Sequence, residues 1–154
     1  MTDPSPSVVV GWRECVGLPD LDVPALRAKI DTGARTCALH VDAQWRFLDG
    51  GTPWVGFRVS PGGGRVVELR APVQDEREVV DSGGHRGVRV FLRTRLRLAG
   101  VEREVEINLA DRRGMRFPML VGRSALAGLF AVDPSRSFVH GRAPRRSTSS
   151  LPTP

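Results

Sequence analysis

From Gly87 to Leu98 the chain alternates strictly: Val88, Val90, Leu92, Thr94, Leu96 and Leu98 share one parity, and arginines occupy most of the other. A period of two suits a pleated strand with one face in a core and cannot line one face of a helix. The turn Ala99-Gly100 then hands over to Val101–Leu109, where Val105, Ile107 and Leu109 keep step. The same grammar runs through the first half. Val8–Val10 with Glu14–Leu18 reads as an early strand, Pro19–Asp22 as a turn, and Val23–Ile30 as a returning strand. Cys37, Leu39 and Val41 alternate with Ala38 and His40, while Trp54–Ser60 and Arg65–Pro72 flank Pro61-Gly62-Gly63-Gly64, a hairpin signal. Helix is confined to one candidate, Ser124–Leu129, beginning at Arg123 or Ser124. Phe130, Val132, Phe138 and Val139 are expected to form a strand pair around Asp133-Pro134-Ser135. These patterns predict an all-β domain with one short C-terminal helix.

Within this β framework Asp31-Thr32-Gly33-Ala34 places a carboxylate on a sharp glycine turn directly after an alternating strand, Ala25–Ile30. Leu26, Ala28 and Ile30 of that strand point one way and Arg27 and Lys29 the other. Aspartic proteases present their catalytic group in this manner, although Asp-Thr-Gly also serves as an ordinary turn. A second element far downstream gives the tripeptide its weight: Phe117-Pro118-Met119-Leu120-Val121-Gly122-Arg123, followed by Ser124-Ala125-Leu126.

Together these two elements resemble the retropepsin fold, whose closing strand runs beside the catalytic loop. Val10–Glu14, Lys29–Ala38 and Leu120–Phe138, with Val132-Asp133-Pro134, are similar to a bacterial retropepsin-like family. That family is often labelled "ATP-dependent zinc protease" and is associated with ATP-grasp glutamate ligases that add glutamates to a ribosomal protein. The resemblance covers residues 8–140. It implies a closed β-barrel with one lobe per chain, catalysis by Asp31, Thr32 and Gly33, and a flap over the site.

Asp81-Ser82-Gly83 matches the same three letters, but the glycines and His85-Arg86 that follow suit a hairpin tip better than a buried catalytic turn. It falls where a retropepsin flap lies, so Asp81–Arg86 is assigned as the flap and the Gly62–Gly64 hairpin as an addition to the fold. Asp31 is then left without a partner in the chain. Peptide hydrolysis by this route uses one carboxylate to accept a proton from water and a second, protonated one to polarise the carbonyl, so the reading demands a homodimer. Thr32 would brace the two loops across the axis. Gly83 and Gly84 would let the flap move, and Ala34, Arg35, His85, Arg86 and Arg123 complete the expected substrate contacts.

Viral retropepsins carry an acid at the position of Arg35, paired with the arginine after the later glycine. Here Arg35 and Arg123 would repel if brought together. Either Glu102, Glu104, Glu106 or Asp133 compensates, or the site keeps positive charge for an anionic ligand. An acidic peptide is the natural candidate, and a glutamate-tailed ribosomal protein would match the family's association.

The net charge of +6 points the same way, and all basic residues except Lys29 are arginine. Setting aside Asp3 and the tail arginines Arg142, Arg145 and Arg146 leaves +4 on the core, which attracts acidic peptides or nucleic acid. Trp12, Trp45 and Trp54 read as packing anchors, since no alternating basic and aromatic motif surrounds them. The three histidines and the thiols Cys15 and Cys37 give no metal-binding spacing; Cys37 and His40 would face opposite sides of a strand, His40 at the surface or hydrogen-bonded. Nor is there a phosphate-binding glycine loop, so no cofactor is expected. Two cysteines and no long apolar run suggest a cytoplasmic protein. Residues 1–7 and 141–154 are polar and proline-rich and are expected to be disordered, flanking a domain over 8–140. Two other readings stay open: a non-catalytic peptide-binding module with this fold, and a basic RNA- or ribosome-binding protein.

Overall fold

In a computed structural model, residues 8–80, 83–111 and 116–141 are described. They form strands β1 (Val8–Gly11), β2 (Arg13–Leu18), β3 (Val23–Asp31), β4 (Cys37–Val41), β5 (Ala43–Asp49), β6 (Thr52–Gly62), β7 (Arg65–Pro72) and β8 (Asp75–Val80). These are followed by β9 (Arg86–Leu98), β10 (Val101–Asp111), β11 (Met119–Gly122), helix α1 (Arg123–Leu126) and β12 (Phe130–Asp133). The terminal segments 1–7 and 142–154 lie outside the described residues, as do Asp81 and Ser82 of the expected flap.

Strand pairing closes a ring. The order β10-β4-β11-β3-β2-β9 returns to its start because β9 also pairs with β10, and β8 extends the sheet from β9. Alternation is what lets this ring bury its interior: Val90, Leu92, Thr94, Leu96 and Leu98 of β9 and Val105, Ile107 and Leu109 of β10 are all buried. On the outer parity the arginines of β9 meet the acids of β10, as in Arg93–Glu104 at 2.8 Å and Arg97–Glu102 at 2.6 Å. The tight turn between them holds Ala99 at φ 54° and Gly100 at φ 78°, the twist that a two-residue hairpin favours.

The structure departs from the sequence reading in several places. Val88 is 65% exposed, because β9 between Arg86 and Val90 pairs only with β8 and projects past the ring. All five residues of β4 are buried, since β10 and β11 flank it and both faces are covered. His40 is therefore interior rather than at the surface. The early strand divides at Trp12: β1 pairs in parallel with β12, whereas β2 pairs with β3. The expected C-terminal pair is also different, for Phe130–Asp133 joins β1 and the chain around Phe138 and Val139 forms no strand.

Glu14 explains the last arrangement. Its carboxylate is fully buried and accepts backbone N–H groups from Gly11 (2.7 Å), Val139 (3.0 Å) and His140 (3.4 Å). It thereby ties the C-terminal strap to the start of β2. Gly11 permits the close crossing, because a Cβ there would overlap the Arg136 carbonyl that Trp12 N–H bonds at 2.9 Å.

The third sheet, β5-β6-β7, is an antiparallel three-stranded unit. One face contributes Val55, Phe57, Val59 and Ala71 to the core.

Candidate active site

Asp31 ends β3, and the chain reverses immediately after it. The Ala34 N–H bonds the Asp31 carbonyl at 3.1 Å, and the Gly33 N–H donates to Asp31 Oδ1 at 3.0 Å. The turn thus fixes one carboxylate oxygen by its own backbone. Thr32 and Gly33 are exposed and Asp31 is half-buried.

The downstream segment holds this turn from the side. β11 runs parallel to β3 with Met119 opposite Ala28 and Gly122 opposite Asp31. Gly122 is buried against the loop so closely that a Cβ would overlap the carbonyls of Thr36 and Ala34. Past it, Arg123 N–H donates to the Ala34 carbonyl at 2.8 Å and Ser124 N–H to the Arg35 carbonyl at 3.1 Å. The Arg123 guanidinium adds 3.3 Å bonds to the carbonyls of both Thr32 and Gly33. Residues ninety positions apart therefore form one rigid unit around the carboxylate.

Asn108 supports the exit of the loop, a role the sequence does not signal. It is buried on β10, donates to the Cys37 carbonyl at 2.9 Å and to Thr36 Oγ1 at 3.4 Å, and accepts from Arg89 at 3.0 Å. Its neighbours in sequence, Ile107 and Leu109, suggest only an outward-facing polar residue. It keeps that outer parity but is covered there, with Arg89 of β9 on one side and the Thr36–Cys37 chain entering β4 on the other.

An open cavity of about 750 Å³ lies beside the loop. Thr32, Arg35 and Arg123 line it together with Trp12, Ile30, Leu126, Phe130 and Val132. The two arginines expected to approach one another do share this cavity. None of the four acids considered as compensation serves them. Glu102 binds Arg95 and Arg97, Glu104 binds Arg93, and Glu106 binds Arg77 at 2.6 Å. Arg77 accordingly holds the Glu106 carboxyl below its ordinary range, and the Ser135 hydroxyl and N–H do the same for Asp133. Among the described residues no carboxylate pairs with Arg35 or Arg123.

Gly83, Gly84, His85 and Arg86 sit at the exposed tip of the β8–β9 hairpin, with Gly84 at φ 84°. They do not line that cavity, and Arg86 pairs with Glu78 at 3.5 Å. Among the described residues no three His, Cys, Asp or Glu side chains come together as metal ligands. Cys37 is moreover a poor ligand, because burial pushes its thiol up to about 11. Among the described residues no helix is long and apolar enough to cross a membrane.

Comparison with known proteins agrees with this geometry. The family described as "Retropepsin-like aspartic endopeptidase RimB" matches residues 9–143. A "Probable alpha-L-glutamate ligase" of Shewanella pealeana is 37% identical over 86% of this chain and 30% of its own length. One of the same name from Desulfotalea psychrophila is 32% identical over 90% of this chain and 31% of its own. The chain thus spans about three-tenths of the length of these relatives. A solved structure from Legionella pneumophila, of unknown function, aligns with a TM-score of 0.71 at 25% identity, covering 86% of this chain and 98% of that one. With the Asp31 turn, the Gly122 strand beside it and the ring of strands around both, the chain belongs to the RimB-like family of retropepsin-like aspartic endopeptidases.

Proposed function

We propose that this protein is an aspartic peptidase whose catalytic dyad is formed by Asp31 from each of two copies, and that it acts on acidic, glutamate-rich protein tails. The observation that carries the peptidase reading is the alignment of Gly122 with Asp31, which locks the carboxylate at the end of β3 in an exposed turn. One such turn per lobe supplies one carboxylate. Two brought to a twofold axis would share a proton, one polarising the scissile carbonyl while the other accepts a proton from the attacking water. Exposure of Thr32 and Gly33 in the single chain favours this, since their surface is available to a second loop.

Support for an acidic substrate comes from Arg35 and Arg123, which share a cavity without a carboxylate partner among the described residues. A glutamate side chain would supply the missing charge through forked hydrogen bonds. The names of the relatives, which refer to glutamate ligation, point to the same substrate chemistry. The hairpin tip at Gly83–Arg86 is proposed as the flap that closes over the peptide.

The test is mass-spectrometric detection of cleavage across a pH series, on a glutamate-tailed peptide and on denatured protein, for wild type and Asp31→Asn. Cleavage confined to wild type is expected, with the acidic peptide preferred. Affinity for the peptide that survives in Asp31→Asn, with no cleavage by wild type at any pH, would instead identify a non-catalytic binding module.

A further inference from the structure

The β5-β6-β7 sheet presents a second surface, on the face turned away from the core. Cross-strand register places Phe47 opposite Trp54 and Trp45 opposite Gly56, with Arg70 beyond Gly56 and Arg58 in the next rung. The Trp45 ring lies over Gly56, for a Cβ on that residue would overlap the indole. It remains 36% exposed, and the Arg58 guanidinium stands 5.1 Å from its centroid. Phe47 and Trp54 follow at 6.3 Å between rings. A depression of about 450 Å³ is lined by Trp45, Phe47 and Arg70, with Glu68 also at its wall.

Basic and aromatic groups are therefore interleaved here, although no stretch of the sequence interleaves them. Arg58 shares its charge with Glu68 at 3.3 Å. Among the described residues Arg70 has no carboxylate partner, and the chain as a whole carries +6. Flat rings on a sheet stack on bases of any sequence, and flanking arginines follow the phosphates. We propose that this face of the β5-β6-β7 sheet docks single-stranded RNA, with bases on Trp45 and the Phe47–Trp54 pair and the backbone along Arg58 and Arg70. It is separate from the Asp31 site, so it stands whether or not the peptidase reading does.

Fluorescence polarisation of the full chain with a labelled oligouridylate of about twelve nucleotides tests this. Two arginine contacts to a single strand predict a log–log salt slope of about −1.4. Trp45→Ala should weaken binding roughly ten- to hundred-fold, and Arg70→Glu should weaken it and flatten the slope. Trp45→Phe, which still covers Gly56 and still stacks, should restore most of the affinity, separating lost stacking from lost folding. Asp31→Asn should bind as wild type does. Failure to bind at ~100 mM salt, equal binding by Trp45→Ala and Arg70→Glu, or displacement by poly-glutamate as effective as by unlabelled RNA would overturn the proposal. The last result would mean attraction to charge alone.

Discussion

Gly122 shows how much one residue can carry. Its missing side chain lets β11 pass against the Asp31 turn, and the Thr36 and Ala34 carbonyls occupy the space a Cβ would need. Backbone yields less readily than a side-chain tip, so Gly122→Ala should cost about 1–3 kcal/mol, read as a lower midpoint in urea. It should also misplace the loop that holds Asp31. Cys37 makes a different prediction. Its thiol is shifted from 9.0 up to about 11 by burial, so its neutral form is favoured by folding. That stabilisation is full below the unfolded value near 9 and is lost as pH rises toward 11. Native protein at mild pH should take up iodoacetamide at half-buried Cys15 and not at Cys37, with mass spectrometry locating the label; equal labelling would contradict the burial.

Among the elements, the C-terminal strap depends on an acid that its own sequence does not contain. Val139 and His140 are held by Glu14, whose buried carboxylate accepts their backbone N–H groups together with that of Gly11. Truncation leaves those donors without their acceptor, and each buried unsatisfied group costs about 1–3 kcal/mol. Glu14→Ala should therefore lower stability by roughly 3 kcal/mol. Hydrogen exchange should accelerate at Gly11 and over Val139–His140 before it does in β9 or β10. Uniform acceleration across all strands would show that Glu14 supports the whole ring rather than the strap. The division of the early strand into β1 and β2 follows from the same contact, because β1 is drawn toward β12 while β2 stays in the ring.

At the scale of the molecule, the proposed mechanism makes activity a property of two copies. One lobe offers one Asp31 turn with Thr32 and Gly33 exposed, so specific activity should fall on dilution below the dimer dissociation constant. Sedimentation over the same concentrations should show the matching loss of dimer. Activity per mole that stays constant while the protein sediments as a monomer would exclude a shared dyad. The remaining surface is governed by arginine. On β9 it is balanced by acids, at the Asp31 cavity no described carboxylate balances it, and on β5-β6-β7 it is set beside aromatic rings.

What the sequence by itself determined was local. Period-two alternation made β9 and β10 strands, Ala99-Gly100 made the turn between them and Gly62–Gly64 the turn from β6 to β7, and Asp31-Thr32-Gly33 with Leu120-Val121-Gly122 marked the candidate site through residue types that a tight, closely packed loop requires. Those features depend on neighbours in the chain, so a single sequence displays them. Tertiary structure decided whatever depended on which strands became neighbours. Placing β4 between β10 and β11 buried His40, and crossing the C-terminal strap over Glu14 replaced an expected hairpin. Joining β7 to β6 and β5 put Arg70 beside Trp45, twenty-five positions away. Sheet register brings such residues together through hydrogen bonds between distant backbones, and side-chain patterns along one strand do not encode which partner will supply them.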